Sequence, residues 1–295
     1  CAPEIKKLLS IGVPASSIIF SHPIKTEYDL LYAKKQGVKR IAFDNVEELR
    51  KLARVYQDAE LVLRLAISNY SSKIQLSKKF GCPVNDALGL LLEAKALGLN
   101  PIGLSIHVGC ECTDPMTYAY AVDSAYGVFQ EAKAQGIELK LFDLGGGFTP
   151  PATPLFAHVC KTINHCLQNF EGVEILVEPG RGMVEDAFIL VTRVIGKNTR
   201  FGKLYYYLDQ GVYSAFADVA IAKKSFSFHS NRSGPRKACT LAGPTCDSLD
   251  IVAKHVFLPE LDLNDVLLVP NAGAYTYALS TNFNRIRKPR VVQVD

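Results

Sequence analysis

The sequence predicts an α/β protein in two parts, a series of parallel βα units followed by an all-β module. Up to about residue 183, short β-branched runs alternate with amphipathic stretches at helical spacing, and this alternation is typical of a parallel sheet. Beyond that point the helical spacing fades, and Gly, Pro and Asn separate short apolar runs. The 295 residues, 48% of them hydrophobic, suffice for one or two sizeable cores. We therefore expect two domains, residues 1–183 and 184–295.

The first part contains six predicted strands, whereas a closed (β/α) barrel needs eight. This leaves two alternatives, an open α/β sheet or a barrel whose first one or two units precede Cys1. The chain begins in a stretch that already has helical spacing. Gly37 and Gly136 directly follow two further helical stretches, where a left-handed C-cap is favoured. The predicted strands are residues 18–20, 41–43, 61–64, 104–107, 139–142 and 175–177, and the predicted helices between them are residues 26–36, 46–56, 84–97, 116–135 and 155–169.

The second part reads as a barrel or sandwich of short strands. Residues 196–202 and 228–237 are predicted loops, and the second is polar enough to be mobile. The predicted strands are residues 188–195, 204–208, 237–242, 251–257, 266–269, 275–280 and 289–294.

Composition excludes several classes of function. The net charge of +4 comes from 33 basic and 29 acidic residues, and the basic residues are scattered, so a nucleic-acid partner is not expected. The longest apolar run, residues 86–92, is far shorter than the ~18 residues that span a membrane. The eight cysteines include no CxxC pair, and Cys110 and Cys112 lie too close for a zinc site. We expect reduced thiols, no metal and a cytoplasmic protein without a targeting segment.

Two motifs at predicted strand ends indicate an anion site. Gly145, Gly146 and Gly147 follow a strand directly, where backbone N–H groups can turn together toward a phosphate; a flexible turn is the alternative. Glu178 and Arg181 enclose a Pro-Gly pair after the next strand, which suits a ligand with one cationic and one anionic group, or a surface salt bridge.

Three further positions are weaker candidates. His107 ends a strand beside a glycine, where a structural role is at least as common as a functional one. Cys246 and Asp247 share a turn that places a thiol beside a carboxylate, which suits proton transfer or simple burial. Tyr275 begins a predicted strand, and Tyr213 belongs to the segment from Gly211 to Phe216; neither is distinctive alone, because tyrosine in a strand usually belongs to the core.

Together the motifs resemble one family, the eukaryotic-type ornithine decarboxylases, with the arginine decarboxylases of the same fold and the non-catalytic antizyme inhibitors. The resemblance covers essentially the whole chain. It implies a pyridoxal-phosphate-binding (β/α)8 barrel, its first units missing here, followed by a β domain, in a homodimeric enzyme of polyamine biosynthesis. The motifs are SIHVG from Ser105, CTDP from Cys112, DLGGGF from Asp143, EPGR from Glu178, GVYxxF from Gly211, GPTCDxLD from Gly243, GAYT from Gly273 and NFN from Asn282.

The resemblance also implies roles for individual residues. Glu178 would pair with the pyridine nitrogen, His107 would stack on the ring, and Arg64 would lie near the aldehyde-side oxygen. Cys246 would return a proton to the substrate carbon, and Asp247, with Tyr213, would bind the substrate; in this family Cys246 and Asp247 come from the partner subunit. The cofactor phosphate would be held by Gly145, Gly146, Gly147, Gly180, Arg181 and Tyr275.

Three departures from the family pattern bear on these roles. The family's Schiff-base lysine lies in a segment that has no counterpart here, and we expect it upstream of Cys1. Cys110, a cofactor-binding position, stands where the family usually has Ser, and Glu111 where it has Gly. The family's second substrate carboxylate falls on Ala222, which weakens the case for a substrate with a cationic tail, unless Glu111 or Asp218 compensates.

Three functions remain open. The first is a decarboxylase of ornithine or a similar small amino acid. The second is a regulator like the antizyme inhibitors; the basic helical residues 25–51 align with the antizyme-binding segment of the family, although a solvated helix face is the favoured interpretation of them. The third is a phosphate-binding barrel enzyme such as an aldolase or racemase, which has no need of the Cys246 turn. The joint presence of Glu178, Arg181 and His107 favours the first.

Overall fold

The computed structural model describes residues 1–68, 72, 76–151 and 153–294, and the chain divides into two compact units, Cys1–Pro179 and Gly180–Asp295. The first unit contains a six-stranded sheet whose strands pair in sequence order, all of them parallel. This confirms the predicted α/β fold with a parallel sheet. The strands are β1 (Ile19–Phe20), β2 (Arg40–Phe43), β3 (Glu60–Arg64), β4 (Asn100–Ser105), β5 (Leu141–Asp143) and β6 (Glu174–Leu176).

Helices connect these strands, and their ends follow local capping chemistry. The Thr26 hydroxyl accepts a hydrogen bond from Asp29 N–H at the start of α2, and Gly37 ends the same helix with φ 77°, as the sequence predicts. The Asn45 and Asp114 side chains cap α3 and α5 in the same way. The helices are α1 (Ala2–Ser10), α2 (Glu27–Gln36), α3 (Val46–Val55), α4 (Ala87–Ala96), α5 (Pro115–Ala134) and α6 (Pro154–Cys166).

The core of the first unit lies where the helices cover the sheet. Phe142 of β5 stacks on Phe170 with ring centroids 5.0 Å apart, and Phe129 of α5 packs edge-on against Phe170 at 5.2 Å. Leu61 and Leu63 of β3 are fully buried. Burial on both faces explains why these strands read as short continuous apolar runs.

The second unit contains a six-stranded mixed sheet in the order β11-β10-β8-β7-β12-β9. Only β10 and β8 are parallel; the other neighbours are antiparallel. Its strands are β7 (Leu190–Arg200), β8 (Lys203–Leu208), β9 (His229–Ser230), β10 (Lys237–Ala242), β11 (Ile251–Leu258) and β12 (Val266–Val269), and two short helices accompany them, α7 (Arg181–Val184) and α8 (Ala217–Ala222).

Three predictions for the second unit are wrong. Residues 196–202 are not a loop, because β7 runs to Arg200 and turns into β8 at Phe201 and Gly202, whose φ angles of 50° and 72° are those of a tight hairpin. Residues 275–280 form turns instead of a strand, since Tyr275 has φ 62°, outside the β region. Residues 289–294 have no regular structure and are mostly exposed; Pro289 offers no N–H to a ladder.

No helix in the described ranges is both long enough and apolar enough to cross a membrane.

Candidate active site

The glycine loop after β5 is packed too closely to accept any side chain at its centre. A Cβ on Gly146 would lie 2.7 Å from the Glu178 carbonyl oxygen and 3.1 Å from His107 Nε2. Gly145 and Gly147 have φ angles of 63° and 101°, which strongly favour glycine. The Glu178 N–H donates to the Gly145 carbonyl over 2.7 Å, so the loop is bonded to the segment after β6. These contacts hold the glycine motif in one defined conformation, which excludes the alternative of a flexible turn.

Asp143, the last residue of β5, lies beneath this loop and is 1% exposed. Its Oδ1 accepts a hydrogen bond from Gly145 N–H over 2.8 Å. Burial, and then the neighbouring Glu178 carboxylate, raise the pKa of Asp143 to about 7, while the Gly145 hydrogen bond and Arg64 oppose the rise. Asp143 therefore retains a proton up to about neutral pH.

Glu178 carries the carboxylate that sequence analysis assigned to the cofactor. The Ser21 hydroxyl, directly after β1, donates to Glu178 Oε1. Ser21 was missed by sequence analysis, because nothing in its local sequence links it to a residue 157 positions away. Asp143 is the first residue of the DLGGGF motif, but sequence analysis gave it no role. The signal that could have identified it is its position directly after the predicted apolar strand 139–142.

His107 is held as a neutral imidazole. Its Nδ1 accepts the Gly109 N–H over 3.0 Å, which leaves Nε2 as the protonated ring nitrogen. Burial, followed by the nearby Arg64 guanidinium, lowers the pKa of His107 to about 4. A neutral, flat ring beside the glycine loop can pack against a ligand ring without bringing a charge.

Arg64, the last residue of β3, is the cation of this edge of the sheet. Burial lowers its pKa, whereas the carboxylates of Glu178, Asp44 and Asp143 raise it in that order. Its guanidinium lies 5.5 Å from the centroid of the Phe80 ring. The described residues thus bring Arg64, His107, Glu178 and the glycine loop to the carboxyl ends of neighbouring strands, as the sequence predicts for a parallel sheet.

Cys110 and Glu111, the two departures from the family motif, follow in the loop after β4. Cys110 is partly exposed. Glu111 has φ 49°, a left-handed conformation that favours glycine. This backbone conformation explains why a glycine is usual at the position.

Arg181, at the start of α7 in the second unit, lies in a cluster of buried charges. Its Nη1 donates to Glu185 Oε1 over 2.9 Å and its Nη2 to Asp218 Oδ2 over 2.7 Å, and its side chain is 9% exposed. Burial alone would lower the Arg181 pKa, but these two hydrogen bonds outweigh it and raise the pKa. The guanidinium also lies 5.0 Å from the centroid of the Tyr275 ring. Gly180 is the N-cap residue of α7.

The turn that carries Cys246 and Asp247 is exposed within the second unit. Asn284 Nδ2 donates to Cys246 Sγ over 3.4 Å, and the Tyr213 hydroxyl donates to Asp247 Oδ2. That hydroxyl lowers the pKa of Asp247. Tyr213 in turn packs on Phe283, with ring centroids 4.6 Å apart. Cys246, Asp247 and Tyr213, all proposed from the sequence, are therefore neighbours.

Asp250 anchors this turn and was missed by sequence analysis. It is 2% exposed, and its carboxylate accepts hydrogen bonds from Val212 N–H at 2.7 Å, Thr245 N–H at 3.1 Å and Thr245 Oγ1 at 2.7 Å. It therefore ties the Tyr213 loop to the Cys246 turn. The available signal was the second Asp of the GPTCDSLD motif, an acidic residue directly before an apolar strand.

Ala222, where the family pattern places a second substrate carboxylate, is the last residue of α8. Lys223 ends the helix with φ 54°, and the Lys224 ammonium turns back to donate to Glu185 and to the Asn271 carbonyl. Asp218, considered above as a substitute for the lost carboxylate, is instead paired with Arg181.

The basic segment 25–51 is not a uniformly solvated helix face. Lys25 is 4% exposed, and its ammonium donates to the carbonyls of His22, Pro23 and Ala42 and pairs with Glu48 at 3.0 Å. Burial lowers its pKa to about 8, against the opposing effect of Glu48. Lys25 is therefore a structural cation of the first unit.

The fold and this geometry define a class, the α/β proteins with a candidate anion-binding glycine loop at the carboxyl edge of a parallel sheet. The chain belongs to the pyridoxal-dependent decarboxylases: the profile of their pyridoxal binding domain matches residues 1–185. The pyridoxal-phosphate cofactor and the resemblance drawn from the motifs are thereby confirmed.

Individual relatives cover nearly the whole chain. Antizyme inhibitor 2 of Xenopus laevis is 37% identical over 98% of this chain and 68% of its own length. Ornithine decarboxylase of Mus musculus is 35% identical over 99% of this chain and 68% of its own length. The crystal structure of the Paramecium bursaria Chlorella virus arginine decarboxylase bound to agmatine matches with a TM-score of 0.92 and 35% identity, over 97% of this chain and 79% of that one.

The residues of the first unit fit pyridoxal phosphate. The glycine loop packs closely against the Glu178 backbone and the neutral His107 ring, which brings a candidate anion-binding loop and a flat ring together. The Glu178 carboxylate and the Arg64 guanidinium supply one group of each charge.

Proposed function

We propose that the protein is a pyridoxal-phosphate-dependent decarboxylase of ornithine or a related amino acid, of the kind that serves polyamine biosynthesis. The observation that carries the proposal is the joint placement of Glu178, His107 and the glycine loop at one edge of the parallel sheet. An acidic partner for a ring nitrogen, a neutral ring and a glycine loop that can offer N–H groups to a phosphate together match this cofactor.

Each residue then has a defined task. The Glu178 carboxylate would hold a proton on the pyridine nitrogen, and Ser21 and Asp143 would hold that carboxylate in place. His107 would pack on the ring. The loop of Gly145, Gly146 and Gly147 would hold the phosphate through the N–H groups of Gly146 and Gly147, because the Gly145 N–H already donates to Asp143 Oδ1. The family pattern gives Gly180, Arg181 and Tyr275 the same ligand group. The bound cofactor supplies an electron sink for the carbanion that remains when CO₂ leaves.

The residues of the second unit would complete the reaction. Cys246 Sγ would return a proton to the substrate carbon, and the Asn284 amide would orient that thiol. Asp247, held by Tyr213, would accept the distal ammonium of the substrate. We further propose a two-fold homodimer in which Cys246 and Asp247 serve the partner subunit, because the family builds its sites in this way.

Two further proposals concern the closure of the barrel and the domain boundary. The sheet of the first unit would close into a (β/α)8 barrel with further strands of the complete protein, and the second domain would begin near residue 183. The cytoplasmic location remains a prediction from the sequence.

A regulatory function is the alternative, and the ornithine, lysine/ornithine and arginine decarboxylases among the similar proteins do not favour it. An antizyme inhibitor is also among the similar proteins, and Ala222 stands where the family pattern places a second substrate carboxylate. The regulator would bind an antizyme-like partner and would not turn over amino acids.

Release of CO₂ from carboxyl-labelled ornithine, lysine and arginine separates the two candidates. The protein expressed from its complete gene should release CO₂ from at least one of the three, only when pyridoxal phosphate is present. A folded protein that releases none and leaves the label in the amino acid would exclude the decarboxylase and favour the regulator.

A further inference from the structure

Four charged side chains lie together around Arg181 in the second unit. Arg181 and Lys224 are the cations, and Asp218 and Glu185 are the anions. Glu185 Oε1 accepts from both cations, whereas Asp218 Oδ2 contacts Arg181 alone among the ion pairs of the described residues. All four side chains are largely buried, with 9% of Arg181, 5% of Asp218, 15% of Glu185 and 13% of Lys224 exposed.

The position of Asp218 is fixed from both sides. It follows Phe216, which is fully buried and packs edge-on against Phe226 with ring centroids 5.4 Å apart. The Phe216 N–H donates to the Gly211 carbonyl over 3.0 Å, and the Asp218 carbonyl accepts the Lys224 N–H over 3.2 Å. A carboxylate on so constrained a backbone can fix the direction of a long side chain that would otherwise adopt many rotamers.

We propose that Asp218 is a positioning residue, which holds the Arg181 guanidinium in the orientation that binds the cofactor phosphate. The inference rests on the proposed function, because the proposed function gives Arg181 the cofactor phosphate as its ligand. Charge alone argues in the opposite direction: Asp218 is an anion close to the site of a phosphate dianion, so as a mere neighbour it would weaken binding. The sign of the effect of removing it therefore distinguishes positioning from simple electrostatics.

The experiment compares pyridoxal 5′-phosphate with pyridoxal, which lacks the phosphate, by equilibrium titration of the protein expressed from its complete gene. Asp218→Asn should weaken binding of pyridoxal phosphate about tenfold, the loss of one charge-assisted hydrogen bond, and leave pyridoxal within about twofold. In an Arg181→Lys background, Asp218→Asn should add little further loss, because it acts through the guanidinium.

The matched control is Asp265→Asn. Asp265 accepts from Arg232 Nη2 over 2.7 Å, an aspartate–arginine pair of the same length in the same unit. The Asp265→Asn variant should keep the wild-type ratio of the affinities for pyridoxal phosphate and pyridoxal. Circular dichroism of each variant establishes that it is folded. If Asp218→Asn does not fold, Asp218→Glu keeps the charge and changes only its reach, and a smaller loss confined to pyridoxal phosphate is expected.

Three results would overturn the inference: tighter binding of pyridoxal phosphate by Asp218→Asn, equal losses for both ligands, or the full loss persisting in the Arg181→Lys background. In each of these cases the wild type still binds pyridoxal phosphate, so the proposed function stands. A wild type that binds neither ligand would overturn the proposed function itself, and this inference with it.

Discussion

The glycine loop of the first unit and the Arg181 cluster of the second unit are built by opposite means. The loop is made by backbone: with Gly145 and Gly147 at left-handed φ angles, the Glu178 carbonyl oxygen and His107 Nε2 lie 2.7 and 3.1 Å from the place that a Gly146 Cβ would occupy. The cluster is made by side chains, with Arg181 fixed by two carboxylates that lie 4 and 37 residues away in the sequence. A site made by backbone tolerates few substitutions at its glycines, whereas a site made by ion pairs depends on each partner.

The first prediction concerns the Glu178 carboxylate, which lies beside the glycine loop. Glu178→Ala should lower kcat about 10²–10³-fold, the usual cost of losing one preorganised electrostatic group, when measured at saturating cofactor. The control is Glu174→Ala on β6, the strand that precedes Glu178, where Glu174 forms a surface ion pair with Arg40. That variant should keep its kcat and lose at most about 1 kcal/mol of stability. Equal losses in both variants would show that Glu178 has no special role.

The second prediction tests the backbone itself. Gly146→Ala should lower the free energy of unfolding by about 1–3 kcal/mol, because its Cβ would lie 2.7 Å from the Glu178 carbonyl oxygen. The affinity for pyridoxal phosphate should fall about tenfold at the same time. Gly127→Ala in α5 is the matched control: nothing lies within 4 Å of its Cβ, and it should stabilise the helix by about 0.5–1 kcal/mol. Urea unfolding measures the stability of both variants. A Gly146→Ala variant as stable as the wild type would mean that the loop can shift to accommodate the added Cβ.

The third prediction concerns the substrate preference set by the second unit. Ala222→Asp should raise kcat/KM for ornithine relative to neutral amino acids by about one to two powers of ten, the contribution of one charge-assisted hydrogen bond. Ala220→Asp, on the exposed side of the same helix, adds the same charge and should leave that ratio unchanged. A wild type with a strong preference for ornithine, together with no gain from Ala222→Asp, would contradict the inferred loss of the carboxylate.

The fourth and smallest effect is a pair of opposing pH dependences. The folded pKa of Asp143, about 7, lies above its unfolded value, so its contribution is greatest at low pH and is lost as pH rises from about 4 to about 7. The folded pKa of His107, about 4, lies below its unfolded value, so its contribution grows with pH from about 4 to about 6.5.

Unfolding in urea at several pH values separates the two groups. Relative to Asp143→Asn, the wild type should lose stability as the pH rises across this window. Relative to His107→Asn, it should gain stability as pH rises. A wild type and an Asp143→Asn variant with parallel pH profiles would mean that Asp143 keeps an ordinary pKa.

The sequence anticipates the backbone-made features far better than the side-chain-made ones. The six parallel strands follow from apolar runs, and the glycine loop follows from three glycines after a strand, since both depend on neighbours in the chain. The pairing of Asp218 with Arg181, and of Ser21 with Glu178, depends on the tertiary fold and leaves no local signal. The β7–β8 hairpin was missed because Gly196 suggested a break, whereas it is a strand residue that lies against the Tyr207 ring.

Spectrophotometric titration with pyridoxal phosphate tests the central claim most directly. The protein expressed from its complete gene should develop a saturable visible absorbance with one cofactor bound per chain, and addition of ornithine, lysine or arginine should change that spectrum with release of CO₂. Glu178→Ala should bind the cofactor but show an altered spectrum and little CO₂. A correctly folded wild type that develops no cofactor absorbance at saturating pyridoxal phosphate would contradict the account.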